Sequence, residues 1–214
     1  MMHDGDKKIG VLASGGGSNM QAVMDAIDRG QIRGRIVLVI SDNPQAYALE
    51  RARLAGSEQR VMLPRDYPSR EAYSQALAEA LQSAGVELLL LAGFMRIITR
   101  ELIEPFRGRM MNIHPALIPS FCGPGFYGHH VHEAVLNYGA KVSGCTVHFV
   151  EEAVDGGPII LQRVVPVLED DTPDTLAARV LIEEHLAYPE AVRLFCADRL
   201  RIEGRLVRIL PEGR

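Results

Sequence analysis

The segment Met110-Met111-Asn112-Ile113-His114-Pro115 sets an amide and a titratable base two residues apart. In a β-strand, residues i and i+2 point to the same face, so Asn112 and His114 project together. Pro115 has no N–H and cannot continue a central ladder, so the strand ends there. An amide and an imidazole side by side at the carboxyl end of a strand can donate to a developing oxyanion and move a proton. In an open α/β sheet that end is where ligands bind. The blander reading is an Asn and a His hydrogen-bonded inside a core. Asp155, followed by Gly156-Gly157-Pro158, is a turn former in its bland reading and a carboxylate presented on a tight loop in its functional one. Asn112, His114 and Asp155 could form an acyl-transfer site without an enzyme nucleophile, since no Ser or Cys stands in a nucleophile elbow.

A second segment with chemistry is Ser14-Gly15-Gly16-Gly17-Ser18-Asn19. It follows the apolar run 9–13, which reads as a buried strand, and precedes residues 20–27, with Met20, Val23, Met24 and Ile27 at helical spacing. Strand, glycine-rich turn and helix make an anion cradle: glycines let the backbone approach the ligand, and the helix start offers free N–H groups. Ser18 and Asn19 are expected as N-caps and as donors to phosphate oxygens. The loop lacks the Lys of a Walker A motif, and a dinucleotide fingerprint starting at Gly15 would need Gly or Ala where Met20 stands. A phosphomonoester is therefore favoured over a nucleoside triphosphate or NAD, with a plain structural turn as the competing reading.

The elements that must position these groups follow from the pattern. Residues 35–41 (RIVLVIS) read as a second buried strand, 46–54 as a helix, 60–63 as a short strand, and Ser69 as the N-cap of a helix running to about residue 83. Residues 86–92 (VELLLLA) are the most apolar run, which predicts a central strand. It leads into Gly93-Phe94-Met95-Arg96-Ile97-Ile98, a candidate pocket wall or ordinary core. A short helix over 100–105 precedes the strand 109–114. This alternation predicts a parallel sheet with right-handed crossovers. Residues 116–128 form a long loop rich in Gly, Pro and aromatics, a length that in a compact domain is usually functional. His129, His130 and His132 then open a helix to about residue 137. They share no helical face well and have no Glu or Asp at ligand spacing, so anchoring of the loop and helix start is favoured over zinc. Residues 143–150, with Thr146 and His148, read as a strand with one wetter face, and 159–167 as the next strand. Asp171-Thr172-Pro173-Asp174 caps a long helix over 175–195, where Glu184 lies near an apolar side. Residues 200–210 read as a hairpin turning at Glu203-Gly204.

The expected fold class is α/β: a Rossmann-like open, mostly parallel twisted sheet flanked by helices, with an antiparallel portion in the C-terminal half. The expected organisation is a tail over 1–7, a single domain over 8–200 in two halves (8–107 and 108–200), and a hairpin tail over 201–214. A chain of 214 residues, 47% hydrophobic, suits one domain with a sizeable core. The net charge of −4 implies no general attraction to nucleic acid or anionic lipid. Cys122, Cys145 and Cys196 are widely spaced without a CxxC, which argues against a disulfide framework or zinc site and for a reducing compartment. Residues 1–8 are polar without an apolar signal core, and no run reaches membrane-spanning length. The expectation is a cytoplasmic protein acting on small molecules, with neither nucleic acid nor membrane as partner.

Five segments in order resemble one family: Ser14 to Asn19 with Gln21, Ala92-Gly93-Phe94-Met95-Arg96, Asn112-Ile113-His114-Pro115, Thr146-Val147-His148-Phe149-Val150, and Asp155-Gly156-Gly157-Pro158. Each alone is weakly specific; the ordered set, covering about residues 8–200, is similar to the phosphoribosylglycinamide formyltransferase family of folate-dependent formyltransferases. Ser18-Asn19 matches its glycinamide branch. The resemblance implies transfer of a formyl group from 10-formyltetrahydrofolate, a co-substrate, to the amine of glycinamide ribonucleotide in purine biosynthesis, with no metal. It implies Asn112, His114 and Asp155 as a catalytic trio, in which Asn112 donates to the oxyanion and Asp155 raises the pKa of a charged His114. Thr146 and His148 would back that trio. It implies Gly17, Ser18, Asn19 and Glu184 for phosphate and ribose. It implies Arg70, Met95, Arg96, Ile97, Ile98 and Val150 for the folate, with residues 150–155 resembling a loop that closes over the pterin. The family often pairs, which leaves a homodimer open. Two departures stand out: the loop 121–128 is longer than in the commonest members, and Leu181 stands where relatives often carry a polar residue. Among rivals, formyltetrahydrofolate hydrolase usually carries an N-terminal regulatory domain and methionyl-tRNA formyltransferase a larger C-terminal one, and the expectation is that this chain has room for neither. A non-catalytic phosphate-binding α/β module would share the glycine loop and leave Asn112, His114 and Asp155 unexplained.

Overall fold

The computed structural model describes residues 5–212. Residues 1–4 of the expected N-terminal tail, and residues 213–214 at the other end, lie outside the described residues. The elements run β1 (Lys7–Leu12), α1 (Ser18–Asp28), β2 (Gly34–Ser41), α2 (Tyr47–Leu54), β3 (Glu58–Val61), α3 (Arg70–Ser83), β4 (Leu88–Leu91), α4 (Arg100–Ile103), β5 (Met110–His114), α5 (His129–Tyr138), β6 (Val142–Phe149), β7 (Ile159–Pro166), α6 (Pro173–Cys196), β8 (Leu200–Glu203) and β9 (Leu206–Ile209). They build one sheet in the order β3-β2-β1-β4-β5-β6-β7-β9-β8. β3 to β5 pair in parallel; β6 then runs antiparallel to β5, and β7 antiparallel to β6. The C-terminal hairpin joins the edge, β9 parallel to β7 and β8 antiparallel to β9. The fold class expected from the sequence is the one observed.

β4 explains its own composition. Its four leucines alternate between two cores, Leu88 and Leu90 on one face and Leu89 and Leu91 on the other. A strand buried on both faces has no polar side to present, hence the unbroken apolar run. One face is covered by α1, α2, α5 and α6, the other by α3 and α4. α3 starts where Ser69 accepts from the Ala72 N–H at 3.2 Å. α6 starts with a reciprocal capping box between Thr172 and Thr175. The helix expected over 100–105 is shorter: after Ile103 the chain tightens into a 3-10 turn over Glu104–Phe106, where Pro105 supplies no N–H for an α-helical bond. Ser18 and Asn19 do not cap α1 with their side chains: the cap position is Gly17, at φ 68°. Asn19 is drawn instead to Glu184 on α6.

The strand order reverses between β1 and β4, so the loops leaving their carboxyl ends part and open a crevice. The two loops are tied across it: Ser14 N–H donates to Gly93 O at 3.1 Å, and Met95 N–H to Ser14 Oγ at 2.9 Å. Among the described residues, no helix is long and apolar enough to cross a membrane.

Candidate active site

The β5–β6 register assembles the first part of the site. Asn112 faces His148 and His114 faces Thr146. Directly opposed antiparallel residues share a face. Asn112 Nδ2 lies 3.3 Å from His148 Nε2. His148 Nδ1 lies 2.8 Å from the Phe149 carbonyl, an acceptor only, so Nδ1 carries the proton and neutral Nε2 accepts from Asn112. Thr146 shapes the exit from β5: its hydroxyl donates to Ala116 O at 2.6 Å and accepts from the Ile118 N–H at 3.1 Å. Gln162 on β7 braces the same turn through Thr146 Oγ1 and Ile118 O, both at 3.0 Å.

Asp155 arrives from the loop between β6 and β7 at φ 53°, a left-handed conformation that Asp tolerates better than most residues. Gly157 makes the approach possible, since a Cβ there would sit 1.8 Å from Phe149 O. One carboxylate oxygen accepts from the Gly123 N–H at 2.9 Å and lies 3.6 Å from His114 Nδ1; the other lies 3.6 Å from His148 Nε2. His114 Nε2 donates to the Phe121 carbonyl at 2.8 Å. The long loop 116–128 thus enters the site twice, through a carbonyl and through an N–H. His114 is 4% exposed and His148 2%.

Burial pushes the His114 imidazole below its ordinary value, outweighing the pull of Asp155 and the Phe121 carbonyl. Asp155 raises it, as expected, but burial is the larger effect and the net shift is downward. Burial pushes the Asp155 carboxyl up, but the two neighbouring imidazoles and the Gly123 N–H together bring it below its ordinary value. At neutral pH we take Asp155 as ionised, because the Gly123 N–H remains its partner, and His114 as neutral.

The glycine loop lies in the crevice beside β4. Ser14 to Asn19, Ala92, Gly93 and Met95 line a cavity of about 280 Å³. Gly17 must be glycine twice over, for its φ and because a Cβ would meet Ala48 Cβ at 2.8 Å. Ser18 and Asn19 stand in the first turn of α1, where backbone N–H groups lack helical partners. Asn19 Nδ2 donates to Glu184 at 2.6 Å. Burial holds the Glu184 carboxyl above its ordinary value, against that hydrogen bond. Leu181 lies partly exposed on the same helix.

The residues expected on the folate side divide. Arg70, at the start of α3, and Met95, Arg96 and Ile97 are exposed. Ile98 and Val150 pack into the core under α3 and α4. Arg96 makes a close ion pair with buried Asp42, so its charge is already engaged. Of the histidines opening α5, His129 lies 3.5 Å from Asp174 and His130 3.3 Å from Glu133. Glu133 stands three residues after His130, a spacing the sequence reading passed over. His132 is buried, and its Nδ1 has no hydrogen-bond partner. No group of three or more metal-ligating side chains comes together among the described residues. Phe121 O, Gly123 N–H, Gln162 and Asp42 were missed as partners; only the glycine and aromatic richness of 116–128 pointed toward the first two.

An Asn, two His and an Asp gather at the carboxyl end of β5, and a family model described as formyl transferase matches residues 7–192. The chain belongs to the formyl transferase family. Its free-standing relatives are called phosphoribosylglycinamide formyltransferase: that of Escherichia coli is 40% identical over 208 residues, 95% of this chain and 96% of the relative. The trifunctional purine biosynthetic protein adenosine-3 of Drosophila pseudoobscura is 45% identical over 214 residues, and this chain spans 15% of its length. Among solved structures, glycinamide ribonucleotide transformylase 1 of Symbiobacterium toebii superposes with a TM-score of 0.93 at 52% identity, covering 98% of this chain and 96% of that one.

Proposed function

We propose that this chain transfers the formyl group of 10-formyltetrahydrofolate to the amine of glycinamide ribonucleotide, in purine biosynthesis. The observation that carries it is the Asn112–His148–Asp155–His114 cluster at the end of β5, with its two histidines buried. The names of the similar proteins support the choice of acceptor. Asn112 donates to the formyl oxygen as the amine adds to the formyl carbon, the moment at which that oxygen gains charge. His148 orients the Asn112 amide by accepting one of its N–H bonds.

His114 moves the proton. In this structure its Nε2–H is held by the Phe121 carbonyl. When reactants take the place of that carbonyl, the ring carries its proton on Nδ1 toward Asp155 and offers the Nε2 lone pair. Neutral His114 then accepts the proton of the attacking amine and returns it to the leaving N10, with Asp155 stabilising the imidazolium between the two steps. A neutral starting imidazole suits the depressed value that burial imposes. Gly17, Ser18 and Asn19 bind the phosphate, and Glu184 the ribose hydroxyls. Arg70, Met95, Arg96, Ile97, Ile98 and Val150 face the folate, and the reaction needs no metal. A homodimer and a cytoplasmic location complete the reading.

The test is the absorbance change of a 10-formyl folate donor with and without glycinamide ribonucleotide. Turnover that requires the ribonucleotide is expected. Turnover without it would mean hydrolysis, and no turnover in either case would leave a binding module.

A further inference from the structure

The glycine loop is gripped from behind by α2. The Gly15 carbonyl accepts from the Ala48 N–H at 3.1 Å, and the Gly16 carbonyl from Arg51 Nε at 2.9 Å. In a trans peptide, a carbonyl and the following N–H point in opposite directions. The N–H groups of Gly16 and Gly17 are therefore aimed away from α2, as a pair, at the mouth of α1. The second arm of Arg51 reaches past the loop: Nη1 donates to Gln21 Oε1 at 2.8 Å, in the first turns of α1. Gln21 is fixed in turn by its bond to Asp25, also 2.8 Å. The guanidinium lies over the Tyr47 ring, 4.9 Å from its centroid, which limits its rotamers. One planar side chain thus ties a loop carbonyl to the helix that follows it and sets the angle between them.

We infer that Arg51 is a positioning residue for phosphate binding: it presets the Gly16 and Gly17 amides and the start of α1 as an anion nest. This rests on the phosphate reading of the loop given above. Successive N–H groups held in this way bind anions because no reorganisation is needed when the ligand arrives. Lysine cannot replace the fork, since a single ammonium has no second fixed arm to reach Gln21 while holding Gly16.

The experiment compares wild type, Arg51→Ala and Arg51→Lys on glycinamide ribonucleotide and on its dephosphorylated nucleoside. Arg51→Ala is expected to raise KM for the ribonucleotide roughly tenfold to a hundredfold, the worth of one or two charge-assisted hydrogen bonds. Its kcat and its KM for the folate donor should stay within about threefold, and kcat/KM on the nucleoside should not change, because the nucleoside has no phosphate for the nest to hold. Arg51→Lys is expected to recover only part of the loss. An unchanged ribonucleotide KM, or an equal loss on the nucleoside, overturns the inference. If Arg51→Ala does not fold, Arg51→Lys decides alone by the same split. A wild type that does not distinguish nucleotide from nucleoside refutes the phosphate reading itself, whatever Arg51 does.

Discussion

Replacing Asp155 by Asn removes one charge and little else. Asn keeps the size, an oxygen for the Gly123 N–H, and a tolerance of left-handed backbone that the φ of 53° requires. The charge that is lost sits 3.6 Å from His114 Nδ1. At that distance, with an effective dielectric constant of about 20, its attraction for an imidazolium is about 4.6 kcal/mol. Taken whole, that is about three powers of ten in rate. The carboxylate is shared with His148, so the expected fall in kcat is about 100- to 1,000-fold. Folding should be preserved, with an apparent melting temperature near that of wild type. The pH profile gives a second reading. A base that must be neutral loses activity as pH falls through its pKa, and Asp155 is what holds the His114 value up against burial. The acidic limb should therefore move to lower pH in Asp155→Asn. A kcat within threefold of wild type, or an acidic limb that stays in place or moves up, would refute this account of the Asp155–His114 pair.

Three further outcomes are expected. Ser18→Ala with Asn19→Ala should raise KM for the ribonucleotide more than for the folate donor; steady-state kinetics with each substrate varied would reassign the loop if only the folate suffered. Prolonged treatment with a chelator should leave turnover unchanged, and activity lost and then restored by zinc would revive a metal role for His129, His130 and His132. Burial, then the His129 and His114 charges, push the His132 value down from 6.5 to about 4, so the unfolded chain takes up a proton that the folded chain refuses. The stability this group contributes is complete above pH 6.5 and declines as pH falls toward about 4, by up to about 3 kcal/mol. Denaturant titrations across that window should show the decline in wild type and a flatter dependence in His132→Gln; identical slopes would contradict the burial of a neutral ring.

What could be read from the chain alone was whatever a short stretch determines. The two-residue spacing of Asn112 and His114, the glycines before α1, the cap at Ser69 and the apolar run of β4 are local facts, and each appears where the pattern put it. What escaped depended on distance along the chain. His148, set behind the trio only by the family resemblance, meets Asn112 because β6 pairs antiparallel with β5, a register fixed by partners 36 residues apart. Asn19 leaves the cap of its own helix for Glu184, 165 residues away, and glycine takes the cap instead.

The direction of the His114 shift was hidden for the same reason. A carboxylate near a histidine raises its pKa when water still reaches both, and the sequence offered the pair without saying how dry it would be. Here the ring is buried, with the 116–128 loop against it through the Phe121 carbonyl, and desolvation outweighs the charge. The consequence is chemical. In the proposed reaction, a residue expected to begin as a charged donor begins as a neutral acceptor, and Asp155 matters most after the proton arrives. On this proposal, the order of proton transfers depends as much on the burial of His114 as on the three polar residues that first drew attention to the site.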